Sequence, residues 1–466
     1  MRIALFFLLA TGFCNAAAIR NVLFLVSDDL KASVLGCYGD KFCRTPNIDK
    51  LAKQGMLFER AYCQGTVCGP SRQSFMFSRY KGQKGSSMAQ HFKENGWYSA
   101  RVGKIYHMRV PGDIIAGTNG VDHPPSWTER FNSQGLEAHT PGDYACLNLN
   151  HFTRAQEGRQ STRMKHRMFV TVETDSDGSG QPDHKTATKT IALLNEHKDK
   201  PFFLAAGFVR PHYPMVAPKP LFAHYPWEKI PLPHVPSNDL EDIPAEGLAG
   251  TRNGKNPIGM YPDNQKRMWS GYYASVAYMD AQVGKVLTAL DEAGLRDNTI
   301  VIFTSDHGYH LGEHDFWAKV SLRDESSQVP LIICVPGKKP AVCNSFVELL
   351  DLYPTTAALC GLKAQDRLQG KDISGMLDDP GHSVRDAAFC VAPARKGFLL
   401  REKKWAYIQY GEKAEKGIEL FDAQKDPKQY DNLAKKKEYQ PVVKAFKKKL
   451  ATRLKAVRAN DLRKAK

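Results

Sequence analysis

The residues with the most chemical potential lie in a few short runs. Cys68-Gly69-Pro70-Ser71-Arg72 sets a cysteine on a turn held by Pro70, with an arginine four residues on. A nearby guanidinium lowers a thiol's pKa and can also hold an anion. Spacing alone favours a plainer role, a buried structural thiol beside a helix start. Asp28-Asp29 sets two acids side by side, and Asp306-His307 adds a third acid and an imidazole. Such donors suit a cation, and an isolated Asp-Asp pair equally suits a polar turn at a strand end. Lys104 and His107 are three apart and would share one side of a helical turn. His212 closes the run Arg210-Pro211-His212, and Lys319 lies beyond Glu313, His314 and Trp317. Taken singly, each of these lysines and histidines reads as a surface residue.

Their positioning elements are legible as apolar runs. Residues 21–27, 202–209 and 299–305 are continuously apolar, as strands buried on both faces of a parallel sheet are. The first ends in Asp28-Asp29, the second in Arg210-Pro211-His212 and the third in Asp306-His307. Ligands of open α/β sheets gather at the carboxyl ends of strands, so three such ends point to one cleft. Residues 329–335 read as a fourth buried strand, and 74–79, 188–198, 269–293 and 347–362 as helices, with Gly294 stopping the third. Thr45 with Pro46 looks like a helix cap and first turn. Residues 108–185 show few periodic segments and read as loops that shape a pocket. Within them, 175–180 partly mimics a calcium loop but lacks the closing acid, so it reads as a polar surface turn. Residues 218–244 are proline-rich and loop-like. Beyond Pro380 short strand-like runs at 398–401, 405–410 and 419–422 suggest an antiparallel sheet, and a domain boundary falls near 380.

Length and composition frame these expectations. A chain of 466 residues can bury a large core and form more than one domain. Arg2, an apolar 3–13 and Ala16-Ala17-Ala18 read as a signal peptide over 1–18, too short in its apolar part to span a bilayer. The expectation is an exported protein, periplasmic or secreted, with no transmembrane segment. Of ten cysteines, Cys14 falls in the signal, and export permits disulfides among the others. Cys334, inside an apolar run, reads as a buried free thiol. The net charge of +16 is uneven, with lysine and arginine dense over 435–466. Leu450, Leu454, Val457 and Leu462 recur there at helical spacing, so a terminal amphipathic helix with a solvated basic face is expected. Attraction to a polyanion is the sharper alternative. Nucleic acid is not expected, since no binding motif accompanies the charge.

The run Cys68 to Arg72 resembles the signature of the type I sulfatases, Cys-x-Pro-Ser-Arg, without a departure. Ser78, in Met76-Phe77-Ser78-Arg79, stands where that family often has glycine. The resemblance spans most of the chain: Asp28-Asp29-Leu30, Thr45-Pro46-Asn47-Ile48-Asp49, Val102-Gly103-Lys104 with His107, Arg210-Pro211-His212, Thr304-Ser305-Asp306-His307-Gly308 and Leu311-Gly312-Glu313-His314. Glu419-Leu420-Phe421-Asp422 with Asp426-Pro427 resembles the family's C-terminal domain. The chain looks most like the iduronate-2-sulfatase-like branch, within the alkaline phosphatase superfamily.

That resemblance implies an α/β fold. It is an alkaline-phosphatase-like sandwich with a large, mostly parallel central sheet flanked by helices over 19–380. A smaller subdomain over 381–466 has a short antiparallel sheet and a basic terminal helix. It implies that Cys68 is oxidised to formylglycine by a formylglycine-generating enzyme. A thiolate attacking sulfur would leave a stable adduct, whereas an aldehyde hydrate can attack with one hydroxyl and expel sulfate with the other. It implies one divalent cation, usually calcium, held by Asp28, Asp29, Asp306, His307 and residue 68. From the donors alone manganese or zinc would compete, and magnesium stays open. Arg72 and Lys104 would stabilise the hydrate and the sulfuryl oxygens. His107 would take the proton when the intermediate collapses, and His212 or Lys319 would contact sulfate and assist the leaving alcohol. The expected activity is hydrolysis of sulfate esters on a sulfated carbohydrate. A phosphodiesterase or phosphonate hydrolase of the same superfamily, and a non-catalytic polyanion-binding protein, are the alternatives.

Overall fold

The computed structural model describes residues 19–156, 169–248, 258–366, 368–392 and 397–460. The signal expected over 1–18 and Leu462 lie outside them. Among the described residues no helix is long and apolar enough to cross a membrane.

A nine-stranded sheet forms the centre. Four of its strands carry the site: β1 (Asn21–Asp28), β2 (Tyr98–Gly103), β3 (Phe202–Pro211) and β4 (Thr299–Ser305). They lie side by side and parallel in the order β4-β1-β3-β2. Beyond β4 the sheet turns antiparallel through Leu331–Cys334, then reaches Met56–Tyr62. The run 329–335, expected as one strand, is broken at Pro330 into Gln328–Val329 and Leu331–Cys334. Proline cannot donate to the ladder, which explains the break.

The continuous apolar character of the strands has a direct cause. Leu23 and Leu25 of β1 enter one hydrophobic core, while Val22, Phe24 and Val26 enter another on the opposite face. Val301 and Phe303 of β4 face the first core, and Ile300 and Ile302 the second. Each strand therefore needs apolar residues at every position, and the period of two is hidden.

Three helices matter for the site: α1 (Cys68–Phe77), α2 (Pro262–Glu292) and α3 (Gln440–Ala459). The helix α2 begins seven residues before the expected 269. Pro262 opens it, and its polar first turns carry no apolar period. Val276, Met279, Val283, Val286, Leu287 and Leu290 all face inward as the spacing requires. The stretch 347–362 departs more from expectation. Ala341–Glu348 is a strand parallel to Met56–Tyr62, with Val347 opposite Ala61, and the helix is only Leu352–Leu359. A capping box between Glu348 and Asp351 marks the switch. Thr45 does not cap its helix. Its hydroxyl donates to Asp49 at 3.1 Å, while Asp280 of α2 accepts the N–H groups of Asn47 and Ile48 at 3.2 and 2.8 Å.

Residues 108–185 hold more order than expected. Gly142–Cys146, His151–Thr153 and Val170–Thr174 join Met215–Pro218 in a second sheet. The 175–180 turn is a surface feature whose Asp175 pairs with Arg154 and Lys219 at 2.8 and 2.6 Å. At the C-terminal end a four-stranded antiparallel sheet runs from Ala387–Val391 to Ile418–Asp422. Helix α3 packs Val443, Phe446, Leu450 and Leu454 against it. Its basic face is turned partly to the chain's own acids. Lys449 binds Asp386 at 2.7 Å and Arg453 binds Glu348 at 3.3 Å. The nine described cysteines are all free thiols, Cys334 among them and buried.

Helix α1 ends at Ser78 in the left-handed conformation, φ 50° and ψ 49°. This is the geometry that favours glycine at a helix end. Here the serine hydroxyl offsets the strain. It donates to the carbonyl of Leu350 at 2.8 Å and accepts the N–H of Gly370 at 3.0 Å. Relief of the left-handed strain is worth about 1 kcal/mol. Two buried hydrogen bonds are worth about 1 kcal/mol each, more when partners are orphaned. Ser78→Gly should therefore destabilise by about 1 kcal/mol and Ser78→Ala by about 2–3 kcal/mol, read as urea midpoints at constant m-value. An unchanged or raised midpoint for Ser78→Gly would refute this balance.

Candidate active site

Cys68 is the first residue of α1, not a turn residue outside a helix. Val67 precedes it in extended conformation, and the N–H of Ser71 closes the first turn on the Val67 carbonyl at 3.1 Å. Pro70 fits because first-turn residues need no intrahelical N–H donor. The thiol is 1% exposed. His307 Nε2 lies 3.3 Å from its sulfur, Lys319 Nζ 3.2 Å and Asp29 Oδ1 3.9 Å.

The strand ends supply the acids. Asp28 ends β1, and Asp29 follows in the left-handed region at φ 64°. That conformation is held from both sides. The Asp29 N–H donates to Asp306 Oδ1 at 3.1 Å, and Tyr272 of α2 donates its hydroxyl to the Asp29 carbonyl at 2.6 Å. Arg72 forks between the acids, with Nε 2.9 Å from Asp306 Oδ2 and Nη2 3.0 Å from Asp28 Oδ1. Its Nη1 donates to the carbonyls of Lys104 and Ile105. All three of these side chains are fully buried. Arg72 thus turns its donors onto the protein's own acids and backbone.

Lys104 pairs with the other oxygen of Asp28. It does not share a helical turn with His107, because both lie in the non-helical segment after β2. Close backbone contact sets its place. The Lys104 N–H donates to the Gly207 carbonyl at 3.0 Å, and a Cβ on Gly207 would come 2.2 Å from the Lys104 carbonyl oxygen. Burial would raise the Asp28 pKa, but Lys104 and Arg72 hold it well below the carboxylate range. Asp29 is pushed up by burial and by Asp28 and Asp306, against Lys319 and His307. Burial would lower His307, but Asp306 and Cys68 lift it to about 10.

The two remaining histidines flank this centre. His107 has an Nδ1 without a hydrogen-bond partner among the described residues. Burial and the charge of Lys104 lower its pKa to about 4. His212 follows β3, whose end is fixed by Asp183 accepting the N–H groups of Val209 and Arg210 at 2.7 and 3.0 Å. Its Nε2 is 3.7 Å from Asp29 Oδ2, and burial and Lys319 push its pKa far down. A neutral ring there donates Nδ1–H to the Tyr213 carbonyl at 2.5 Å, leaving Nε2 as a lone pair.

Lys319 arrives on a strap. His310–Leu311 pairs with Trp317–Ala318, and Gly312, His314, Asp315, Ala318 and Val320 all have positive φ. Sequence reasoning missed what holds the strap. Lys31, two residues past Asp29, forms a buried ion pair with Glu313, whose other oxygen accepts the Leu311 N–H at 2.6 Å. Trp269 of α2 donates to the Leu311 carbonyl at 2.8 Å. Nothing in the spacing of Lys31, Tyr272 or Glu313 marks them, for each contact spans more than 200 residues.

The donor set fits a cation. Ligand atoms of Asp28, Asp29, Cys68 and His307 lie within 4.8 Å of one another. Asp29 Oδ2 is buried with no hydrogen-bond partner. Positive groups already cluster there, with Lys319 Nζ 2.6 Å from Asp29 Oδ1. Asp306 stands beside this group, its Oδ2 3.6 Å from His307 Nε2. All the expected site residues therefore meet at one edge of the sheet.

Comparison with known proteins places the chain in a family. Two family models match, one described as Sulfatase over residues 20–362, the other as N-sulphoglucosamine sulphohydrolase, C-terminal, over 312–456. Iduronate 2-sulfatase of Homo sapiens is 35% identical over 401 residues, covering 74% of this chain and 70% of its own. That of Mus musculus is 33% identical over 473 residues, covering 90% and 77%. Among solved structures, phosphonate monoester hydrolase of Agrobacterium radiobacter superposes with a TM-score of 0.75 at 22% identity, covering 94% of this chain and 95% of that one. A protein solved with its substrate D-glucosamine-2-N,6-O-disulfate gives 0.72 at 19% identity, covering 95% and 99%. At such identities the two structural matches establish the fold alone.

Two outcomes follow from the charge arrangement. Arg72→Met leaves buried Asp306 without its guanidinium partner and Asp28 with Lys104 alone, and should cost about 3–5 kcal/mol of stability in urea unfolding. A loss below about 1 kcal/mol would show that the fork holds nothing together. Burial would raise Glu313, but Lys31 draws it down from 4.5 to about 2. Its share of stability is present above pH 4.5 and fades as pH falls through about 2. The stability gap between wild type and Glu313→Gln should narrow below pH 4.5, and a gap constant with pH would refute it.

Proposed function

We propose that this chain, which belongs to the sulfatase family of sulfuric ester hydrolases, removes sulfate from a sulfated carbohydrate outside the cytoplasm. The observation that carries this is the convergence of Cys68, Asp28, Asp29, His307 and Lys319 on one buried centre. Identity with the iduronate 2-sulfatases supports the carbohydrate class.

In this reading the catalytic unit is 19–380, and 381–466 buttresses it. Cys68 is oxidised during maturation by a formylglycine-generating enzyme. The formylglycine, as its hydrate, supplies the hydroxyl that attacks sulfur. Asp28, Asp29, Asp306, His307 and residue 68 would hold one divalent cation, calcium by family habit, which would supply Lewis-acid polarisation of a sulfate oxygen. His307 would hold the ion through a deprotonated ring nitrogen.

The chain's own residues do the rest. Arg72 is a positioning residue that pairs with Asp28 and Asp306 and fixes the start of α1. Lys104 compensates Asp28 and stands ready for a sulfuryl oxygen. His107, neutral well below pH 7, is free to accept a proton. Lys319 keeps its proton because Asp29 and Cys68 outweigh burial, whereas His212 is neutral. The leaving oxygen is therefore stabilised by Lys319, with His212 orienting the sulfate.

Three measurements test the reading. Peptide mass spectrometry of the matured protein should find formylglycine at position 68. Sulfate release from a panel of sulfated glycans should exceed turnover of phosphate diesters and phosphonates, and the reverse order would make the chain a phosphoryl-ester enzyme of the same fold. Cys68→Ala should lower sulfate release by about 10³-fold or more. Full turnover in that variant, or glycan binding with no sulfate release from the matured wild type, would overturn the proposal.

A further inference from the structure

A cavity of about 450 Å³ lies apart from the catalytic centre, between the second sheet and helix α2. Phe152, Glu173, Trp227 and Arg267 line it, with Asp143 and Arg154 at the same opening. Arg267 and Tyr272 are both on α2. At 100° per residue they point about 140° apart. Tyr272 reaches the Asp29 carbonyl, so Arg267 looks away from the catalytic centre.

Arg267 is held by its faces and not by its edge. Its guanidinium carbon sits 4.0 Å from the centre of the Trp227 ring and 5.5 Å from that of Phe152. Stacking uses the flat faces of the group and leaves the in-plane N–H donors available. No carboxylate among the described residues comes within salt-bridge distance of it. Arg154, by contrast, is paired with both Asp143 and Asp175. Phe152 is 49% exposed, an uncommon state for a large apolar ring.

Glu173 supplies the opposite half of the pocket. It is half-buried within the sheet, and its carboxyl makes no hydrogen bond or ion pair among the described residues. Burial and nearby Asp143 raise its pKa, while Lys219 and Arg267 draw it back. One cavity thus combines two aromatic surfaces, an in-plane forked donor and a carboxyl acceptor. A sugar ring has an apolar C–H face for the rings and hydroxyls for the carboxyl. A sulfate or carboxylate substituent would take the forked guanidinium bidentately.

We infer that this cavity is a second, non-catalytic subsite that binds a sulfated sugar unit of the polysaccharide, with Arg267 on the sulfate and Trp227 and Phe152 against the ring. The inference rests on the sulfated-carbohydrate reading above. It makes the enzyme better on a chain of sugars than on a small ester, because a second contact raises the local concentration of scissile esters.

The test separates the two claims. Binding is measured by calorimetry in a Cys68→Ala background, with a heparin hexasaccharide and with the same hexasaccharide chemically desulfated. Introducing Arg267→Ala should weaken binding of the sulfated probe by about tenfold or more, the worth of a charge-assisted hydrogen bond. Arg267→Lys should recover part of it, with an unchanged melting temperature as the control for folding. In the matured enzyme Arg267→Ala should lower kcat/KM on a polymeric sulfated glycan and leave a small aryl sulfate within about twofold. Unchanged binding, or parallel losses on both substrates, overturns the subsite. Equal binding of the desulfated probe overturns the sulfate assignment, since that probe keeps its uronate carboxylates. If no glycan releases sulfate, the functional reading falls while the binding result still decides the subsite, because it is read without turnover.

Discussion

The structure depends on one fork. Asp28 and Asp306 close adjacent parallel strands, and their carboxylates are buried at the same edge. Left alone, two such charges would repel and would also lose their hydration. Arg72 reaches both from the first turns of α1 and takes two backbone carbonyls besides. The start of that helix is therefore located by electrostatics as much as by packing. Because Cys68 begins the helix, the sulfur is set against the strand ends by the same contact. Burying this many charges costs more desolvation than an apolar core of equal volume. The arrangement is understood as placement of a reactive centre and not as a source of stability.

Much of this was legible in the chain, for a physical reason. A strand covered on both faces must be apolar throughout, so 21–27, 202–209 and 299–305 stood out as runs. The polar residues that end such runs stood out by contrast. Where a signal had a second possible cause, the reading slipped. The run at 347–362 reads as one element because a strand end and a helix follow one another closely, and the two acids at the switch, Glu348 and Asp351, are buried in a capping box. Lys104 and His107 have helical spacing but sit in a non-helical segment set by the tight approach to Gly207. Cys68, expected on a turn held by Pro70, begins a helix instead, because the first helical turn tolerates proline.

What the sequence hid is the layer behind the reacting groups. Tyr272 looks like one more apolar-face residue of a long helix, yet its hydroxyl fixes the backbone of Asp29. Lys31 and Glu313 look like ordinary surface charges, yet they are buried against each other. Their partners lie hundreds of residues away, and no local periodicity encodes such a pairing. The same helix illustrates both outcomes. Its inward stripe was read correctly, while the roles of individual side chains on two of its faces emerged only in three dimensions.

The strap from 310 to 320 carries a final consequence. Five of its residues adopt left-handed backbone angles, and four of these are not glycine. A segment with so many unfavourable torsions has almost one path through space, and its length cannot change without carrying Lys319 off the sulfur. Diversification of the enzyme toward new sugars would have to leave this stretch intact. The proline-rich 218–244 region is bound to the same strap, for Asp239 lies 2.9 Å from His314 Nδ1 and both are buried. Insertions and deletions are thus shut out of this stretch by backbone geometry alone, whatever sugar the enzyme meets.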